Sequence, residues 1–215
     1  MTKKAKQHTV YKLANGKRVP GTTTITGVLN KPALVPWANK LGLQGIKVSE
    51  YVNDLADIGT LAHAMVIASL EGKEADTSDY SAKQISSAEN SALSFFDWKK
   101  GKELEPIIME KPLVSETYKF GGTADCFCKL DGVRTLIDFK TGKGIFPEMP
   151  TQVIAYMQLL KENGYEPEQG MILRIGRTED EGFETRQVKN TVLNWKMFLH
   201  CLGVYETRKQ IKKEA

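Results

Sequence analysis

The sequence predicts an α/β fold with an α+β-like order of elements: a mixed central β-sheet flanked by helices. Three observations carry this expectation. Residues 22–102 hold apolar side chains at helical spacing. From residue 104 the pattern changes to three runs that alternate or are rich in β-branched residues, joined by short turn signals. A helix, two further strands and a closing helix then follow, which implies helices on the faces of the sheet. At 215 residues, with 41% apolar and 26% charged side chains, the chain can bury one substantial core, and neither disorder nor a fibre is favoured.

Taken in order, "TVYKLANGKRVPG" reads as a β-hairpin about Asn15–Gly16, stopped near Pro20. A short threonine-capped helix follows. A second helix, near residues 33–44, carries Leu34, Trp37 and Leu41 on one side. A third runs from Ser49, a plausible N-cap, to Leu70, with Gly72 just past its end. "SDYSAKQISSAENSALSFFDWKKGK" predicts a fourth, ending at Gly101. "LEPIIMEKPLVS", "FGGTADCFCKL" and "VRTLIDFKT" are the strands of a meander, the last two joined by the hairpin signal Asp131–Gly132. "PEMPTQVIAYMQLLKENG" is a helix with Pro150 in its first turn and Gly164 at its end. "QGMILRIGR" and "FETRQVK" are strands, and the chain closes on a helix from about Asn190. Trp37, Trp98 and Trp195 read as core residues.

Composition narrows the function classes. No apolar run approaches the roughly 18 residues of a membrane span, so no membrane partner is expected. Residues 1–8 read as a flexible basic tail, not as a secretory signal, and residues 9–215 as a single domain. Cys126, Cys128 and Cys201 are too few and wrongly spaced for a disulfide framework or a CxxC zinc site; buried thiols and a cytoplasmic location are expected. The net charge of +4 is mild, and lysine runs such as Lys99–Lys100 and Lys212–Lys213 permit a polyanionic partner without requiring one.

One segment carries chemistry. In "GGTADCFCKLDGVRTLIDFKTG", Asp138 and Lys140 fall on one face of a strand, with Ile137 and Phe139 turned away. Asp125 on the preceding strand can lie close to them across the ladder. Two carboxylates brought together repel unless a cation lies between, and an oxygen-rich site suits Mg²⁺ or Mn²⁺. A lysine beside it can orient water or neutralise charge building on a phosphoryl group. These parts match metal-dependent phosphodiester hydrolysis. The two other acid–x–lysine triplets, at Glu71 and Asp97, lie in helical patterns and read as solvated charges.

Those residues also resemble a known family. "FGGTAD", "LIDFKTG" and "QVIAYMQLL" are similar in order and spacing to the motifs of the RecB-type branch of the PD-(D/E)XK nuclease superfamily. Gly59 and His63 in "DIGTLAHAM" match its upstream helical G-x-x-x-H element. The opening "VPGTTTITGVL" resembles phage-type and mitochondrial-genome-maintenance-type exonucleases of this branch. Two departures are Ala124, where the superfamily has proline, and three cysteines where some members use four for an Fe–S cluster, so no cluster is expected.

The resemblance implies a restriction-endonuclease-like catalytic core over about residues 103–200, with an N-terminal helical elaboration over about 22–102. It implies that Asp125, Asp138, the Phe139 carbonyl and His63 hold one or two Mg²⁺ or Mn²⁺ ions. Lys140 would orient or activate water, and Gln152 and Tyr156 would hold the lysine or the nucleic-acid backbone. Thr141 and Lys143 are candidates to meet phosphate on a glycine-rich loop, and Glu110 or Glu116 for a further acidic role, the choice between them open. The implied activity is a DNA exonuclease of replication, recombination or repair, from a phage or bacterial source. Its substrate would be DNA with free ends and single-stranded character, and a single-strand-binding or recombination protein a possible partner. Alternatives are a structure-selective or restriction-like endonuclease and a nuclease-derived DNA-binding protein without catalysis.

Overall fold

The computed structural model describes residues 9–214; the expected tail at residues 1–8 lies outside them. A small hairpin, β1 (Tyr11–Lys12) and β2 (Arg18–Val19), precedes four helices: α1 (Thr22–Thr26), α2 (Leu34–Leu43), α3 (Val48–Leu70) and α4 (Ala82–Lys99). Then come β3 (Leu104–Ser115), β4 (Phe120–Leu130), β5 (Val133–Lys140), α5 (Met149–Glu162), β6 (Gln169–Ile175), β7 (Phe183–Gln187) and α6 (Thr191–Glu214). The five long strands form one mixed sheet in sequence order. β3, β4 and β5 are an antiparallel meander, α5 is the crossover that makes β5 and β6 parallel, and β7 returns antiparallel. The fold is therefore α+β, a five-stranded mixed sheet between helices.

The turns follow from local chemistry. Asp131 and Gly132 have φ of 49° and 83°, the left-handed pair that a two-residue hairpin turn needs. α5 starts with proline in its first turn, and Gly164 at φ 83° ends it. Ser81 and Gln84 form a reciprocal capping box that starts α4: the Gln84 N–H donates to the Ser81 hydroxyl at 3.3 Å, and Gln84 Oε1 accepts the Ser81 N–H at 3.0 Å.

One face of the sheet carries α5, α6 and α1 over a core that includes Leu113, Phe120, Phe127, Leu136, Leu160, Ile172 and Phe198. The other carries α3 and α4 over Val66, Phe95, Trp98, Ile137, Phe139 and Leu173. Among the described residues no helix is long and apolar enough to cross a membrane.

Three expectations are corrected. α3 begins at Val48, with Lys47 and not Ser49 in the capping position and no side-chain cap. Thr22 does not cap α1; its hydroxyl donates instead to the Gly121 carbonyl at 3.0 Å, tying α1 to β4. α2 buries nothing: Leu34 is 51% exposed, and Trp37 packs against Tyr51 of α3, not in the core. α2 packs chiefly on α3, so its stripe has no core to enter.

Candidate active site

The site grows from a break in the sheet. In β4, Phe120 and Ala124 face the α5 side, yet Cys126, Cys128 and Leu130, of the same parity, face the α3–α4 side. Uninterrupted alternation forbids that. The strand turns over at Asp125. In β3 the same inversion separates Met109 from Leu113, and Glu110 between them has φ 44°, a left-handed conformation uncommon outside glycine. The ladder pairs Met109 with Cys126 and Lys111 with Ala124, so Glu110 and Asp125 sit opposite one another where both strands invert. Their carboxylates emerge at a rim and not on a packed face.

Beyond this point β4 and β5 part. Their pairing stops at Cys126–Ile137, which leaves the N–H of Phe139 without a ladder partner on that side. The Asp125 side chain takes its place, Oδ2 accepting the Phe139 N–H at 2.8 Å. α3 closes the site from above. Gly59 lets it approach the end of β5, since a Cβ there would stand 2.9 Å from the Thr141 hydroxyl. His63, one turn later on the same face, brings Nδ1 to 3.7 Å from Asp125 Oδ1. Ligand atoms of His63, Glu110 and Asp125 all lie within 4.8 Å of one another.

Asp138 sits deeper, 1% exposed, with Lys140 as its ion-pair partner. Apart from that pair, its carboxylate oxygens accept no hydrogen bond among the described residues. Burial, partly offset by Lys140 and aided by repulsion from Asp125, raises its pKa to about 6. Burial pulls the Lys140 ammonium down, but Asp138 and Asp125 outweigh it, so its pKa stands above the ordinary value. Burial, with the two aspartates, also holds the Tyr156 phenol well up and neutral. A buried carboxylate held by Lys140 alone, beside a three-residue cluster of imidazole and carboxylates, fits a hard divalent cation.

α5 forms the floor. Gln152 and Tyr156 share one face, and Gln152 Nε2 donates to the Tyr156 hydroxyl at 2.9 Å. Tyr156 packs so tightly on β4 that a Cβ at Gly122 would stand 2.5 Å from its ring. On the neighbouring residue, Gly121, the Tyr11 ring of the hairpin leaves 2.3 Å. The adjacent glycines thus admit an aromatic ring against each face of the strand beside Asp125.

His63, Asp125, Asp138, Lys140, Gln152 and Tyr156 line one cleft of about 1240 Å³, with Glu110, Arg18, Asp57 and Tyr80. Phe139 is not among the lining residues; its N–H reaches Asp125, and its ring is buried against Phe95 and His63. Thr141 and Lys143 are not among the cleft's lining residues, and Lys143 is exposed on the following loop. Of the two glutamates left open, Glu110 joins the cluster. Glu116 accepts the Ala14 N–H at 2.6 Å and anchors the hairpin. Sequence could not separate them, because the inversion that aims Glu110 is a backbone event with no residue signature. Cys126, Cys128 and Cys201 are buried free thiols.

No family model matches the sequence, and no curated protein matches it. Among solved structures, the chain is similar to the alkaline exonuclease LHK-Exo from Laribacter hongkongensis at 15% identity, covering 73% of this chain and 90% of that one, TM-score 0.36. The same protein in complex with dAMP matches at 14% identity, over 74% and 91% of the two chains, TM-score 0.35. SSO0001 matches at 16% identity, over 67% and 74%, TM-score 0.31.

Proposed function

We propose that this chain is a divalent-metal-dependent deoxyribonuclease that hydrolyses phosphodiester bonds from free DNA ends. The observation that carries the reading is the gathering, at one break in the sheet, of His63, Glu110 and Asp125 beside the buried Asp138–Lys140 pair. His63, Glu110, Asp125 and Asp138, with the Phe139 carbonyl, would hold Mg²⁺ or Mn²⁺. When bound, such an ion supplies Lewis-acid polarisation of the phosphate and acidifies water.

The remaining work falls to the chain's own groups. Lys140, kept charged by Asp138, presents a fixed cation where negative charge builds on the phosphate and can orient the attacking water. The Asp125 side chain, anchored on the Phe139 N–H, keeps the two strand ends in register. Gln152 and Tyr156 offer amide and phenol donors to the nucleic-acid backbone from the cleft floor. Thr141 and Lys143 would meet phosphate only outside the cleft. The hairpin on one side and α3 on the other bound the cleft, which supports entry by a strand end over engagement of a continuous duplex.

The test uses end-labelled linear DNA, single- and double-stranded, beside a closed circle, with Mg²⁺ or Mn²⁺ and with chelator. Linear DNA is expected to be shortened, the circle left intact, and chelation to stop the reaction. Lys140→Ala and Asp138→Asn are expected to lower the rate by at least about 100-fold. Cutting of the circle would make it an endonuclease, and unchanged digestion by both variants would remove the site.

A further inference from the structure

The last helix bears an apolar stripe that no described part of the chain covers. Phe198, Cys201 and Leu202 of α6 enter the core. On another side Leu193, Met197, His200, Val204, Thr207 and Ile211 recur at alternating spacings of four and three, the seam of a heptad pattern. All six are exposed, the four apolar ones by 66%, 46%, 47% and 60% in chain order. At 100° per residue the stripe lies roughly 130° around the helix from its core-facing side. Residues 206–214 are all exposed, so α6 continues beyond the core without support, where short helices are marginal.

A second observation falls at the stripe's middle. Gly203 lies inside the unbroken helix, although a mid-helix glycine is destabilising relative to alanine. A Cβ there would meet nothing within 4 Å, so no contact inside the chain requires it.

We propose that α6 pairs antiparallel with α6 of a second copy, about a two-fold axis near residue 202. Each Leu193 then faces the partner's Ile211, each Met197 the partner's Thr207, and each His200 the partner's Val204. Such a patch is self-complementary, as an isologous dimer demands. Gly203 meets its own counterpart beside the axis, where a missing side chain lets the helices approach. Charge selects the direction. Arg208, Lys209, Lys212 and Lys213 crowd the last two turns, and a parallel pair would set them against themselves. The antiparallel pair lays them along residues 191–197, where Lys196 is the single charge. The inference does not depend on the proposed nuclease activity.

Sedimentation of the full chain from about 1 to 100 µM, the range in which a short seam would dissociate, tests it. The wild type is expected to move from one chain mass, 24.0 kDa, to twice that mass. Val204→Glu and Ile211→Glu, at exposed sites, are expected to keep the fold by circular dichroism and stay at one chain mass. Under mild oxidant Gly203→Cys is expected to cross-link to itself, and Leu193→Cys only to Ile211→Cys. A wild type that stays at one chain mass, even if α6 then proves to bind DNA or an acidic helix, overturns the proposal. So do glutamate variants that associate like the wild type, and self-cross-linking of Leu193→Cys, which would mean a parallel pair.

Discussion

On the proposed reading, Asp138 is the residue on which protons and metal ions would compete. Its pKa of about 6 lies above the unfolded value near 4, so between these the folded chain holds a proton that the unfolded chain has released. This group's contribution to stability therefore falls as pH rises through that window when no cation is present. Catalysis should run the other way, since only the ionised carboxylate can take a divalent ion. The rate is expected to climb as pH passes about 6, and the climb to shift to lower pH as Mg²⁺ or Mn²⁺ concentration is raised. A pH–rate profile at two ion concentrations checks this; an acid limb indifferent to the ion would detach Asp138 from metal binding. Glu110 owes its place to the left-handed φ that turns its carboxylate to the rim.

Among the elements, β4 bears the most constraint. Its glycine pair is pressed by the Tyr156 ring and the Tyr11 ring, and the strand inverts three residues after Gly122. Gly122→Ala would force a methyl to 2.5 Å from Tyr156, where the packing of α5 on the sheet leaves little room to yield. We expect a loss of about 1–3 kcal/mol in urea unfolding, together with reduced activity through displaced Tyr156 and Asp125. Gly132, with open space around it, marks a turn requirement instead. The two kinds of glycine look alike in sequence and act through different physics.

Across the whole molecule, the cleft is assembled from parts far apart in the chain: α3 supplies His63, β3 Glu110, β4 Asp125, β5 Asp138 and Lys140, and α5 the floor. A cation held between them should tie these elements together and stabilise the fold by mass action. Mg²⁺ or Mn²⁺ is expected to raise the Tm of the wild type in proportion to the logarithm of its concentration. Asp125→Asn and Glu110→Gln should lose most of that rise. Calorimetric titration checks the same point directly, and full ion binding by both variants would place the ion elsewhere.

Periodicity, turn residues and motif spacing were enough to order the elements. The helical first part, the meander and the crossover helix are legible, because hydrophobic period and turn chemistry are local properties; several of the candidate residues on them, His63, Gln152 and Tyr156 among them, come from the motif resemblance instead. The idle stripe of α2 was not legible, since burial depends on whether a core stands opposite. Nor was the cluster of Glu110 with His63 and Asp125. Strand alternation places side chains only while the strand keeps its face, and β3 and β4 both invert at the site. That inversion belongs to the paired strands and their helical neighbours, so only the assembled structure could decide which carboxylates meet.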